Sequence, residues 1–169
     1  MTRAILAAIA LLTFGGPAAA ADWRPTRPDR LAAMDAEMAP LLTEYQPAFD
    51  AIVSDFDVMS APYRFAGIIA APADMQARVD AAEKLPSDIA YAKALAASAI
   101  AVVDRYPPDA CWADYGAVLR TGWLAYGDAA DGLEVGAMDD ANTYVGMALY
   151  LLGRYGALVH DQSVKDCAA

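Results

Sequence analysis

The sequence predicts an all-α fold, an up-and-down four-helix bundle with a short extra helix and an irregular segment around residues 57–72. Three observations lead to it. Apolar residues recur at steps of three and four over most of the chain, the period of an amphipathic helix. No alternating strand pattern of any length interrupts them, and the periods of about 33 or 34 residues typical of helical repeats are missing. Two cysteines, Cys111 and Cys167, bracket the last two long helices, where a hairpin brings them together. A chain of 169 residues, 58% of them hydrophobic and with a mean hydropathy of +0.26, suits one domain. At this length roughly two-thirds of the unfolded surface is buried on folding, so no metal is needed to hold the core.

Residues 1–21 read as a secretory signal peptide. Arg3 supplies the positive start, Ala4 to Phe14 the apolar run, Gly15-Gly16-Pro17 the helix break, and Ala19-Ala20-Ala21 the small residues a signal peptidase requires. The run is too short for a bilayer of roughly 30 Å, and no cysteine nearby offers a lipid site, so no stable membrane anchor is expected after cleavage. The mature chain is expected to start at Asp22 in the periplasm or outside the cell, with 11 basic against 22 acidic residues and a net charge of −11.

Residues 22–28 form an extended leader, because Pro25 and Pro28 disfavour helix. The bundle domain, 29–169, opens with the stripe Leu31, Met34, Met38, Leu41, Tyr45, Phe49, Ile52 and Phe56, which Pro40 and Pro47 kink or split near Gln46. Residues 57–72 lose the period and carry an apolar patch around Phe65, Ile68 and Ile69. A short helix over 73–85 follows, and Pro86-Ser87-Asp88 marks a new start. The second long helix runs to Tyr106, where Pro107-Pro108 stops it. The third, 110–131, carries Trp112, Tyr115, Leu119, Trp123 and Tyr126 and ends at Gly132. The fourth begins near Asp139-Asp140, has no charge from 141 to 153, and is expected to be the most buried helix. If the last two helices form a hairpin, Cys111 and Cys167 reach the same end and pair, the one pairing that two cysteines allow.

The net charge of −10 and the lack of any basic run exclude nucleic acid as a partner and disfavour anionic lipid. Catalytic and metal patterns fail one by one. His160 is the only histidine, so di-iron, zinc and Ser-His-Asp constellations lack their parts, and neither a metal nor a cofactor is expected. The acids Asp128, Asp131, Glu134, Asp139 and Asp140 miss the calcium-loop pattern, since Ala130 and Gly132 fall where oxygen ligands are needed. His160 with Met34 or Met38 offers a haem-ligand reading, against which stand its place at the edge of its stripe and the lack of a C-x-x-C-H attachment.

The aromatic residues Trp112, Tyr115, Trp123, Tyr126, Tyr144 and Tyr155 crowd the C-terminal hairpin among helical glycines. They read either as close helix packing or as the lining of a ligand pocket. The function expected from these residues is that of an exported, non-catalytic interaction or accessory protein of the periplasm, with a protein partner and the patch Phe65, Ile68, Ile69 as contact surface. The alternative is a small-ligand or haem carrier that uses the aromatic hairpin.

Overall fold

Thr26 starts the first helix by exchanging bonds with Asp29. Its amide and hydroxyl donate to the Asp29 carboxylate at 2.9 and 2.6 Å, and the Asp29 amide donates back to the hydroxyl at 3.3 Å. This is the reciprocal arrangement of a capping box, so helix begins two residues before the Asp29 expected from the stripe. The computed structural model describes residues 25–64 and 72–169. The predicted signal peptide, residues 22–24 of the leader and the patch residues Phe65, Ile68 and Ile69 lie outside the described residues.

Four long elements form an all-α bundle: α1 (Arg27–Arg64), α2 (Pro72–Arg105), α3 (Ala113–Glu134) and α4 (Met138–Tyr150), with α4 continued through a π-helical turn, Leu151–Tyr155, into α5 (Gly156–Ala168). Among the described residues there is no strand. Early residues of α1 meet late residues of α2, as Glu37 pairs with Arg105 and Asp55 approaches Lys84 at 3.8 Å. The same crossing recurs between α2 and α3, where Asp104 pairs with Arg120 at 3.2 Å and Lys93 with Asp131 at 2.6 Å and Glu134 at 2.8 Å. Packing follows chain order, α1 on α2, α2 on α3 and α3 on α4, while α5 reaches back to α3 and α1.

The helices are longer than their prolines suggest. α1 runs unbroken through Pro40 and Pro47, and α2 runs through Pro86, so the short helix expected over 73–85 is the first half of α2. All three prolines lie on exposed faces, as do Ala36, Thr43 and Ala82 four residues before them. The carbonyls that lose their amide partners are therefore left to water, and the buried side of each helix is untouched. Ser87, expected to cap a new helix, instead donates its hydroxyl back to the Lys84 carbonyl at 2.6 Å. Residues 57–64, expected to be irregular, continue α1, because Phe56 and Met59 extend the stripe of Phe49 and Ile52 against the core.

α3 also overruns its expected stop. Gly132 is helical, and Gly136 turns the chain at φ +75° while the Ala137 amide closes on the Gly132 carbonyl at 2.8 Å. α3 is the central helix, with Leu119, Trp123, Tyr126, Ala129 and Leu133 all buried. α4, expected to be the most buried, has only Ala141 and Ala148 buried in the core, with Val145 packed partly against it. Its apolar residues run round the whole helix, whereas it packs mainly on α3, so its outer face stays open. α2 is long and apolar enough over Met75–Arg105 to cross a bilayer by length and composition alone. Its stripe Ile89, Ala92, Ala96, Ala99 and Val103 is nevertheless buried in the bundle.

Candidate functional site

The last helix breaks where the sequence expected continuity, and the break shapes both faces of the C-terminal hairpin. Gly153 leaves helical geometry at φ −92°, ψ −114° inside the π turn. On the inner face Leu152 drops against Gly122 of α3. A Cβ on Gly122 would stand 2.6 Å from Leu152 Cδ2 and 3.2 Å from Leu151 Cβ, so a larger residue there would force Leu152 to shift. On the outer face the rings of Tyr150 and Tyr155 stack, with centroids 5.5 Å apart and planes at 13°.

That outer face is apolar. Tyr144, Met147, Tyr150, Tyr155 and Leu158 are exposed, Tyr150 by 59% and Leu158 by 61%. A shallow groove of about 280 Å³ lies between Tyr150, Arg154, Tyr155 and Leu158. No charged residue occurs from 141 to 153, while Asp139 and Asp140 precede this stretch and Arg154 follows it. The chemistry of such a face is that of a contact surface, since Tyr and Met are enriched where proteins meet.

The six aromatic residues read from the sequence do not share one cleft. Trp112, Tyr115, Trp123 and Tyr126 are buried, whereas Tyr144 and Tyr155 are on the surface. Trp123 and Tyr126 join Tyr45 and Phe49 of α1 in edge-to-face and tilted contacts at 5.6 to 6.3 Å. The Tyr126 hydroxyl donates to the Tyr45 carbonyl at 3.0 Å. Burial holds the Tyr126 phenol well above its ordinary pKa. The indole nitrogens of Trp112 and Trp123 are buried and have no hydrogen-bond partner among the described residues. Arg30 sits 5.1 Å above the Trp112 ring, a cation–π contact between α1 and the start of α3.

His160 enters a polar couple that the sequence did not predict. Its Nε2 lies 2.8 Å from Asp35 Oδ2, its Nδ1 faces Asp161 at 3.8 Å, and its ring meets Tyr115 edge-on at 4.9 Å. Burial, followed by the nearby Asp35 carboxylate, raises the Tyr115 pKa and keeps the phenol neutral. The couple rims a cavity of about 310 Å³ whose other walls are apolar, among them Met38, Leu42, Leu119 and Leu152. Met38 thus reaches the same cavity as His160, while Met34 is buried away from it. The imidazole nitrogen facing α1 is already engaged by Asp35. Among the described residues no group of three or more His, Cys, Asp or Glu is placed to hold a metal ion. Asp35 escaped the sequence reading because it stands next to Met34 at the edge of an apolar stripe, where an acid reads as solvated.

Cys111 and Cys167 stand at disulfide distance, with Cα atoms 5.0 Å apart, and join the start of α3 to the end of α5. Asp109 ties the same end to the start of α1 through Arg27 at 3.2 Å. The chain matches no family model, no curated protein and no solved structure.

Proposed function

We propose that this is an exported, non-catalytic interaction protein of the periplasm or the extracellular space, and that its contact face is the outer side of α4, the π turn and the start of α5. The observation that carries the reading is the exposure of the longest uncharged stretch of the bundle, 141–153, in which only Ala141, Ala148 and Leu152 are buried core residues and Val145 packs partly against them. Apolar surface that continuous is uncommon on a soluble monomer unless something covers it. The cysteine pair and the features of residues 1–21 support export, since such pairs persist in oxidising compartments.

The test is a photo-reactive residue at Met147, compared in the native envelope with the same residue at Ala97, which is exposed on α2. Protein adducts at Met147 and none at Ala97 are expected. Equal labelling, or none, overturns the reading. Sequencing the amino terminus of the exported chain is expected to give Asp22.

The cavity beside Asp35 and His160 supports a second reading, a small-ligand or haem carrier, because pockets of about this size and apolar character hold small molecules. A Soret band on titration with haemin would favour it. An unchanged haemin spectrum removes haem as the cargo.

A further inference from the structure

We propose that the cavity between α1 and α5 binds a small primary ammonium ion with an apolar body, its head on the Asp35 carboxylate and its body against Met38, Leu119 and Leu152. The proposal rests on the second reading above, that this cavity holds a small molecule, and names the chemistry of that molecule.

The space comes from small residues where α5 reaches back to α1. Ala39 of α1, with Gly153, Gly156 and Ala157 of the kink and α5, line a cavity of about 310 Å³, within the range of ligand pockets. Gly156 serves the kink itself, since a Cβ there would come 2.5 Å from the Leu151 carbonyl oxygen. A Cβ on Gly153 would meet nothing within 4 Å. The gap that larger side chains would fill therefore stays open. The exposed Ala39 and Ala157 stand at its mouth, and the buried Met38, Leu119 and Leu152 form an apolar floor.

The polar side of the cavity carries one sign of charge. Asp35 keeps 30% of its side-chain surface open, and its Oδ1 has no hydrogen-bond partner among the described residues. Its Oδ2 meets His160 Nε2 at 2.8 Å. An imidazole is not a fixed cation as Lys or Arg would be, and the other nitrogen of His160 faces Asp161 at 3.8 Å. With a carboxylate on each side, the group is net negative even when the imidazole is protonated. Tyr115 adds no charge, because burial and then Asp35 keep its phenol neutral. No Lys or Arg lines the cavity, and none pairs with Asp35 or Asp161 among the described residues.

These charges select the guest. An anion would meet two carboxylates and no fixed cation, and the net charge of −10 adds to the repulsion. A neutral guest would shield Asp35 from water and return no charge. A metal ion finds too few ligands, since no group of three or more His, Cys, Asp or Glu is placed to hold one among the described residues. An ammonium head compensates Asp35 with charge-assisted hydrogen bonds while the apolar body rests on the floor.

Three probes of similar shape decide: phenethylammonium, phenethyl alcohol and hydrocinnamate, each titrated at constant pH into the untagged, disulfide-bonded chain. His160 is the only histidine, so its imidazole NMR signals report on this cavity without ambiguity. The ammonium is expected to shift them with a Kd below about 1 mM and to bind about tenfold more tightly than the alcohol. Hydrocinnamate is expected to leave them in place. Asp35→Asn is expected to erase the preference for the ammonium over the alcohol, and Ala157→Trp, at the mouth, to abolish binding of both. Thermal melts of the two variants control for folding, and the comparison of probes on the wild type needs neither variant. An alcohol or carboxylate that binds as tightly as the ammonium overturns the proposal and leaves the small-ligand reading standing. A preference for the ammonium that survives in Asp35→Asn overturns it too. Silence of His160 toward all three probes ends both.

Discussion

Tyr150 and Tyr155 stack face to face although five residues separate them. In a regular α-helix, residues five apart point about 140° away from each other. The kink within Leu151–Tyr155, where Gly153 leaves helical geometry, absorbs that difference. The same turn seats Leu152 against Gly122. One local irregularity thus fixes the last helix to the core on one side and aligns two phenols toward solvent on the other. The kink borders both the apolar face and the Asp35–His160 cavity.

The two neighbours Leu151 and Leu152 are expected to respond differently to charge. Leu152 is buried and Leu151 is half-buried. Leu152→Asp is expected to cost several kcal/mol, about 3 or more, because the carboxylate has no partner there. Leu151→Asp should cost less, and Tyr150→Asp within about 0.5 kcal/mol. Urea unfolding of the three variants checks the order. A severe loss for Tyr150→Asp would place the outer face inside the core.

Trp123 is fully buried, and its indole N–H has no partner among the described residues. Trp123→Ala is expected to cost about 3–5 kcal/mol through the cavity left among Tyr45, Tyr126 and Leu119. Trp123→Phe should cost at most about 2 kcal/mol, since it keeps a ring in the cluster and removes a buried donor that makes no bond. Equal losses for the two variants would mean that the indole N–H has a partner.

The Cys111–Cys167 pair closes a loop with a sequence separation of 56. Chain-entropy arguments put its contribution at about 4 kcal/mol. The unreduced protein is expected to show no free thiol and to release a single cross-linked peptide on digestion, by mass spectrometry. Reduction, or Cys111→Ser with Cys167→Ser, should lower the unfolding free energy by that order. A full complement of free thiols in the exported protein would refute the pairing.

Periodicity made the helices legible, and the two cysteines made the hairpin legible, because both are patterns over many residues or between residues far apart. The apolar stripe of α1 from Leu31 to Ile52 is the stripe that packs. What failed was local. Pro40, Pro47 and Pro86 read as breaks because their cost depends on which way the freed carbonyl faces, and that is decided by tertiary packing. α4 read as the core helix because a run without charge reads the same whether another helix covers it or a partner does. The π turn carries only a faint trace, Gly153 and Gly156 spaced across a Tyr150–Tyr155 pair. Asp35 and His160 stand 125 residues apart, and no spacing rule joins them.

Acid titration should separate two kinds of carboxylate in α1. The Tyr106 hydroxyl donates to Glu37 at 2.6 Å, and Arg105 pairs with the same carboxylate. These hold the Glu37 pKa below its ordinary 4.5. A depressed carboxylate stabilises the fold above its ordinary pKa, and that stabilisation is lost as pH falls through the folded value. Asp55 is the opposite case. Desolvation, only partly offset by Lys84 and reinforced by Asp88, raises its pKa above 3.8. Its contribution is therefore favourable at low pH and is lost as pH rises through the folded value, so the ionised group is a liability at neutral pH. Glu37→Gln is expected to lower the melting temperature at pH 7, and Asp55→Asn to raise it. Both differences should shrink as pH falls far enough to protonate the carboxyls in both states. Because Glu37 is exposed, its effect should also fade in high salt. Melting curves of the wild type and both variants from pH 7 downward give the comparison. A melting temperature for Asp55→Asn below that of the wild type at pH 7 would show that the Lys84 contact outweighs the desolvation of Asp55.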